Sequence, residues 1–207
     1  MSEIEKEKLG FKEKLLGAIG KRVMWWRAKK ANKLLFHLGF AYTFLELYNL
    51  TKSIEKSLKI MSEMGLEAGK DLMYESLSLA KPILSRQVSD LKVILESSWY
   101  AFLGKEKLSY FEYFPPDEQG IEKIVWRANH CMLCSQLKED ILFLEQVQEI
   151  TDFNTKPAGV LLCSIFESFF SAVMDAAGLK FNVSVEETKC MHIGDLYQEF
   201  TASFIPK

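Results

Sequence analysis

The chain has 207 residues, of which 48% are hydrophobic and 26% charged, and its formal net charge is −2. This composition is ordinary for a soluble globular protein, and the length suits one large domain or a domain with a helical extension. The 15 phenylalanines predict an aromatic-rich core, which also suits a cavity for an apolar ligand. We expect no nucleic-acid partner.

The cysteines and the longest apolar run predict the compartment. The cysteines are Cys131, Cys134, Cys163 and Cys190. The N-terminus is charged and lacks the apolar core of a secretory signal, so we expect reduced thiols or metal ligands. Residues 157–178 are apolar but include Glu167 and Asp175, and a membrane span would bury such a carboxylate at a cost of roughly 2.5–3.5 kcal/mol. We therefore expect a soluble, cytoplasmic protein.

Residues 1–33 are predicted to be a basic amphipathic helical extension. Lys and Arg clearly outnumber acidic residues in this range, whereas the rest of the chain is net acidic. Such asymmetry is typical of an interaction arm. Trp25 and Trp26 suit peripheral contact with a membrane interface. The alternative is a helix that packs on the body of the protein or on a second subunit.

Residues 34–80 are predicted to form one or two long helices, and residues 86–103 another. Apolar or small residues recur every three or four positions in the first stretch, which is the pattern of a seam facing a partner helix. This 40–72 seam consists of Phe40, Phe44, Leu47, Ile54, Leu58, Met61, Gly65, Ala68 and Leu72. Gly65 and Gly69 form a small-xxx-small pair, so another backbone can approach closely there.

The period then changes to that of strands. Residues 108–114 and 121–129 alternate around a Pro-Pro-Asp turn and predict a hairpin, and a helix is expected over 136–150. A buried helix over 157–177 is followed by Gly178 as its C-cap. Two alternating segments, 179–189 and one ending at Phe204, predict a second hairpin. The fold class is therefore α+β, an antiparallel sheet packed on helices, with a long N-terminal helical section.

The C-terminal motif carries a family resemblance. Its sequence is Glu187-x-x-Cys190-x-x-x-Gly194-Asp195-x-x-Gln198-x-Phe200. Together with the preceding helix, Gly178 and strand, it resembles the C-terminal half of a 4-vinyl reductase domain. The resemblance covers roughly 156–204, and extends over 35–155 by element order only. That family belongs to the fold group of TRAPP trafficking subunits and the sensor domains of phenol-responsive regulators.

The resemblance implies a hydrocarbon-binding domain, often dimeric, that encloses a pocket for an apolar small molecule or acyl chain. In the sensor branch it also implies a zinc ion, held by an upstream Cys, the Glu and Cys of E-x-x-C, and a second Cys eight residues further on. Glu187 and Cys190 match that motif. Position 198 is Gln, so one ligand is missing, and Cys131 or Cys134 would stand for the upstream Cys.

The residues themselves suggest a zinc site of partly different composition. The four predicted metal ligands are Cys131, Cys134, Cys190 and His192. Cys131-x-x-Cys134 lets two thiolates face one ion, and residues two apart on a strand share a face, as Cys190 and His192 would. Glu187 stands at an odd offset from Cys190, so it needs a β-bulge to join the site. His130 is a further candidate, whereas Cys163 is interpreted as a core residue. The alternative is that these cysteines are core residues and His192 lies in a loop.

The leading hypothesis is a small hydrophobic-ligand-binding module with a structural zinc site, possessing a sensory or regulatory role. We expect domains 1–33, the extension, and 34–207, the ligand-binding α+β domain, in a homodimer. One alternative is an assembly or scaffold subunit that uses the 40–72 seam and the basic arm. The other is a Cys/His-dependent hydrolase or reductase, with Glu167 as a further candidate. The sequence lacks a nicotinamide or flavin fingerprint, so a binding module is favoured over an enzyme.

Overall fold

The computed structural model describes residues 33–80, 87–103, 108–129 and 159–207. The helices are α1 (Lys33–Thr51), α2 (Ile54–Ala80), α3 (Leu91–Leu103) and α4 (Val160–Ala176), with short 3-10 turns at Val88–Asp90 and Met191–Ile193. The strands are β1 (Tyr110–Phe114), β2 (Glu122–Ala128), β3 (Phe181–Lys189) and β4 (Gln198–Pro206). The predicted α+β class is confirmed.

The four strands form one antiparallel sheet in the order β1-β2-β4-β3. Both predicted hairpins are present, and they join through the β2–β4 pair. In the first hairpin the Asp117 carboxylate accepts hydrogen bonds from the backbone N–H groups of Gln119 and Ile121 at 2.9 and 3.0 Å. Gly120 follows with a φ of +76°. This Asx-type turn sets the register that continues into the centre of the sheet.

Alternation along the strands separates a core face from an outer face. Ile124, Trp126, Phe200, Ala202 and Phe204 are almost wholly inaccessible to solvent and share one face. The α4 helix packs its phenylalanines against this face, for example Phe170 against Trp126 and Phe204. One aromatic layer therefore joins sheet and helix, as the abundance of phenylalanine predicted.

The two glycines of α2 set a close crossing with α4. A β-carbon at Gly65 would lie 2.6 Å from the Leu161 carbonyl oxygen, and one at Gly69 would lie 2.8 Å from the Ser168 β-carbon. Ser164, also on α4, exchanges a 2.7 Å hydroxyl hydrogen bond with Ser62 on α2. The predicted close backbone approach at this pair of glycines is present, and its partner is α4 of the same chain.

Most of the described residues of the 40–72 seam pack against other residues of the same chain. Phe40, Phe44 and Met61 are buried in the core, and Leu47, Ile54 and Leu58 pack against it. Ala68 is exposed. The scaffold alternative therefore has little of this seam available for a partner, and it depends on the basic arm instead.

The C-terminus of α4 follows the predicted capping pattern. Gly178 has a φ of +75°, its N–H donates to the Asp175 carbonyl, and the Leu179 N–H donates to the Met174 carbonyl at 2.9 Å. A left-handed residue at this position satisfies the last carbonyls of the helix, and glycine adopts it without strain. The turn delivers the chain directly into β3.

Several predictions concern residues outside the described ranges. The basic extension lies there except for Lys33, the first residue of α1, as does the helix expected over 136–150. These remain predictions, as does the division into two domains. Among the described helices, none is long and apolar enough to cross a membrane.

Candidate functional site

A β-bulge at the end of β3 brings Glu187 and Cys190 to the same face of the sheet. Glu187 pairs with Phe200 and Lys189 pairs with Glu199, so the register shifts by one residue at Thr188. A bulge re-aims the side chains that follow it. Glu187 stands at an odd offset from Cys190 and so needs such a bulge to join it, and the structure contains the bulge.

The Glu187 carboxyl group joins three segments of the chain. One oxygen accepts a 2.8 Å hydrogen bond from the backbone N–H of Gly159, and the other accepts a 2.6 Å bond from the Gln198 side-chain amide. Gly159 is the N-cap of α4, where N–H groups lack partners within the helix. We call Glu187, Cys190, Gln198 and the Gly159 N–H the Glu187 cluster. It ties the start of α4 to the β3–β4 hairpin.

Burial dominates the protonation of this carboxyl group. Desolvation is the largest cause, the adjacent Cys190 thiol acts in the same direction, and the net effect raises the pKa of Glu187 to about 8. The hydrogen bonds from Gln198 and Gly159 oppose this shift without cancelling it. Glu187 is therefore mainly a neutral carboxylic acid at pH 7, and it does not act as a base toward the thiol. This weakens the hydrolase alternative, since Cys190 is also fully buried.

The loop after β3 fixes the Cys190 backbone. Its N–H donates to an Asp195 carboxylate oxygen at 2.9 Å, and its carbonyl accepts from the Asp195 N–H at 3.2 Å. Lys189 adds an ion pair to Asp195 at 3.6 Å. Gly194, with a φ of +106°, allows the tight reversal. The conformation of this loop therefore depends on the Gly194-Asp195 pair of the motif.

Cys190 and His192 do not lie on one strand, so the argument from a shared strand face does not apply, and His192 as a zinc ligand stays a prediction. The strand ends at Lys189, and Met191–Ile193 form a 3-10 turn closed by the Ile193 N–H and the Cys190 carbonyl. The side chain of His192 lies outside the described residues, as do His130, Cys131 and Cys134.

Cys163 is a neighbour of the cluster that sequence reasoning did not associate with it. It is buried, as predicted, and its thiol lies beside the backbone of Glu187. Burial raises the pKa of the Cys163 thiol strongly, and the charges of Glu187 and Glu167 add to the shift. The thiol stays protonated and structural. Cys163 lies in the first turn of α4, next to Gly159, and this position in the sequence could have indicated that it lies near the Glu187 cluster.

The described residues do not by themselves fit a zinc ion. Zinc takes four donors in tetrahedral geometry, mainly thiolate and imidazole. Within the described ranges, no three His, Cys, Asp or Glu side chains are grouped closely enough for a metal. Glu187 and Cys190 are adjacent, but Gln198 directs its amide N–H toward Glu187, and an amide N–H does not ligate a metal. A zinc site would need Cys131 or Cys134, and it stays a prediction.

A second feature lies in the aromatic layer, at Trp126. Its ring stacks on Phe200 with centroids 5.4 Å apart, and meets Phe166 edge-on at 5.2 Å. Trp99 stacks on the other side of Phe166 at 6.0 Å. The Trp126 indole is wholly buried, yet its Nε1–H has no hydrogen-bond acceptor among the described residues. A buried hydrogen-bond donor without a partner lowers the stability of the fold by about 1–3 kcal/mol, so the tryptophan at this position needs an explanation.

Comparison with known proteins finds likeness in structure and none in sequence. No protein-family model and no curated protein matches the chain. One similar structure is trafficking protein particle complex subunit 3 from Naegleria fowleri, covalently bound to palmitic acid. It has a TM-score of 0.57 and 16% identity, over 84% of this chain and 95% of that one. Another is the phenol-responsive sensory domain of the transcription activator PoxR with phenol, at a TM-score of 0.56 and 13% identity, over 90% and 89%.

These comparisons agree with the predicted fold group. The trafficking subunit and the phenol-responsive domain are the two kinds of protein that the resemblance named, and each matches most of the present chain. At such low identity the likeness shows the fold alone. Membership of the 4-vinyl reductase family remains a prediction, whereas the chain shares the fold of a TRAPP subunit and of a phenol-sensing domain.

Proposed function

We propose that the protein is a binding module for a small apolar molecule that carries one oxygen acceptor. The observation that carries the proposal is the buried Trp126 Nε1–H, which has no acceptor among the described residues. An oxygen atom of a ligand satisfies this donor. The surrounding rings of Phe166, Phe170 and Phe200 favour an apolar body next to that oxygen.

Two kinds of ligand fit this chemistry. A small phenol presents an aromatic ring with one hydroxyl oxygen, and a fatty acyl chain presents a long apolar body with a polar head. The fold neighbours are consistent with both, since one is described with phenol and the other with palmitic acid. We favour the small aromatic molecule, because aromatic rings surround the donor and offset or edge-on ring contacts add about 0.5–1.5 kcal/mol each.

Trp126→Phe is expected to remove the preference for an oxygen acceptor. The wild-type protein should bind phenol more tightly than toluene, which has a similar shape but lacks the hydroxyl group. A hydrogen bond of about 0.5–1.5 kcal/mol corresponds to a preference of roughly two- to tenfold. Isothermal titration of both ligands measures this ratio, and in the variant it should fall to about one.

Trp99→Phe is the matched control for the phenol preference. It removes an indole from the same aromatic layer, where Trp99 is 4% exposed and stacks on Phe166, but it leaves Trp126 in place. We expect this variant to keep the phenol preference even where its overall affinity falls. Equal binding of phenol and toluene by the wild type, combined with the absence of fatty-acid binding, would contradict the proposed function.

Zinc is a separate part of the proposal, resting on the predicted ligands Cys131, Cys134, Cys190 and His192. Metal analysis of the purified protein should find about one zinc ion per chain, because four N, O or S donors bind it tightly. The double substitution of Cys131 and Cys134 by serine should remove the ion. A metal-free wild type that still binds phenol would end the zinc proposal and leave the ligand proposal standing.

A further inference from the structure

The pairing of β3 with β4 determines which backbone groups of β3 face outward. The Lys207 N–H donates to the Lys180 carbonyl at 3.0 Å, so these residues form a hydrogen-bonded pair just beyond the strand ends. Hydrogen-bonded and non-hydrogen-bonded pairs alternate along an antiparallel ladder. The N–H groups of Val183, Val185 and Glu187 therefore point away from β4, toward the edge of the sheet.

A side chain of α4 covers one of these outward groups directly. Glu167 accepts a hydrogen bond from the Val185 N–H at 3.2 Å, and one turn earlier the buried Cys163 thiol lies beside the backbone of Glu187. Four residues of helix advance by about 6.0 Å, and two residues of strand by about 6.6 Å. The two periods match, so successive turns of α4 meet alternate residues of β3 running in the opposite direction.

We propose that Glu167, held on α4, forms a cap on the β3 edge that keeps a second copy of this chain from adding its own β3 strand there. Edge strands expose unpaired N–H and C=O groups that recruit other strands unless something covers them. β3 is one of the two edge strands of the sheet, the other being β1, and β4 pairs with it on one side only. This cap is independent of ligand binding at Trp126.

The sequence of β3 would allow such pairing between copies if the cap were absent. Suppose that two β3 strands pair in antiparallel fashion about Ser184. Val183 then lies opposite Val185 of the second copy, and because the backbone groups of both residues face the edge, they can form a hydrogen-bonded pair. It also sets Glu186 opposite Asn182, so like charges do not meet across the interface. The side chains therefore do not oppose self-association, and the α4 contacts must do so.

Glu167→Ala is expected to open the edge. The Val185 amide proton should be as protected from solvent exchange in the wild type as that of Glu186, which bonds to β4, and its protection should fall at least tenfold in the variant. Sedimentation equilibrium should show a monomer–dimer equilibrium that is shifted toward dimer relative to the wild type. Hydrogen exchange read by NMR measures the first effect residue by residue.

Glu167→Gln is the matched variant, since its amide oxygen still accepts a hydrogen bond, and it should behave like the wild type. Glu186→Ala, which removes an exposed carboxylate from the neighbouring position, should also change neither quantity. An unprotected Val185 amide in the wild type would overturn the proposal, even if Glu167→Ala did not fold. So would a Glu167→Ala protein that exchanges faster but associates no more than the wild type.

Discussion

Replacing Gly69 with alanine is expected to lower the free energy of unfolding by about 2–3 kcal/mol, and replacing Gly65 as well should prevent stable folding. The added β-carbon at position 69 would fall within 2.8 Å of the Ser168 β-carbon, and it would press still closer on the backbone of Ile165. Backbone atoms cannot rotate aside, so α2 and α4 would have to separate. Chemical denaturation monitored by circular dichroism measures the loss.

Gly39→Ala provides the matched control for this packing prediction. Gly39 also lies inside a helix, but a β-carbon there meets no atom within 4 Å. Alanine in a helix interior is favoured over glycine by roughly 0.5–1 kcal/mol, so this variant should be slightly more stable than the wild type. Equal effects at positions 39 and 69 would mean that the α2–α4 crossing is not close.

Glu187→Gln is expected to flatten the dependence of stability on pH. Glu187 has a folded-state pKa of about 8 against an ordinary value of 4.5. Because the folded state holds the proton more tightly, its contribution to stability is complete below pH 4.5 and is lost as the pH rises to about 8. Linkage gives a loss on the order of 4 kcal/mol across that interval. Glutamine carries no ionisable proton, so the variant should not show this loss with pH, although it can accept only one of the two hydrogen bonds that Glu187 accepts.

The pH effect is measured by urea unfolding of both proteins at several pH values. The difference in unfolding free energy between Glu187→Gln and the wild type should grow in favour of the variant between pH 5 and pH 8. Glu186→Gln, on the adjacent exposed position, should track the wild type instead. A variant curve parallel to the wild-type curve would show that Glu187 does not change its protonation state on folding in this range.

The sequence predicted the elements of this fold because their periods are strong. Alternation in β3 placed Val183 and Val185 in the core, and both are buried. The apolar circumference of α4 predicted a central helix, and Gly178 predicted where it ends. The spacing of Gly65 and Gly69 predicted a close helix crossing. These features are local, so a single chain carries their full signal.

Contacts between distant segments were less accessible to sequence reasoning. From the sequence, Cys163 was interpreted as a core residue only. Its proximity to Glu187 depends on how α4 lies along β3, which the sequence pattern does not show. The partners of the Glu187 carboxyl group come from the start of α4 and from Gln198, so they emerge only when the bulge is formed. The 3-10 turn after Cys190 broke the strand period on which the placement of His192 relied.

The sequence also did not reveal that the Trp126 indole N–H has no acceptor among the described residues. Tryptophan in a strand predicts burial, but nothing in the pattern reveals whether its N–H has an acceptor. That depends on the rings of Phe166, Phe170 and Phe200, which close around it from α4 and β4. The proposed function therefore rests on tertiary packing, whereas the predicted fold group rests on the motif and element order.

The central claim is that a ligand oxygen accepts a hydrogen bond from the Trp126 indole N–H. NMR of the indole N–H protons tests this claim most directly. The chain has four tryptophans, and Trp126→Phe assigns the relevant side-chain signal by its loss. Addition of phenol should move this signal downfield, because a new hydrogen bond has that effect. Toluene lacks the hydroxyl group and should not move the signal downfield. A Trp126 indole signal that does not respond to phenol, or to a fatty acid, would contradict the account.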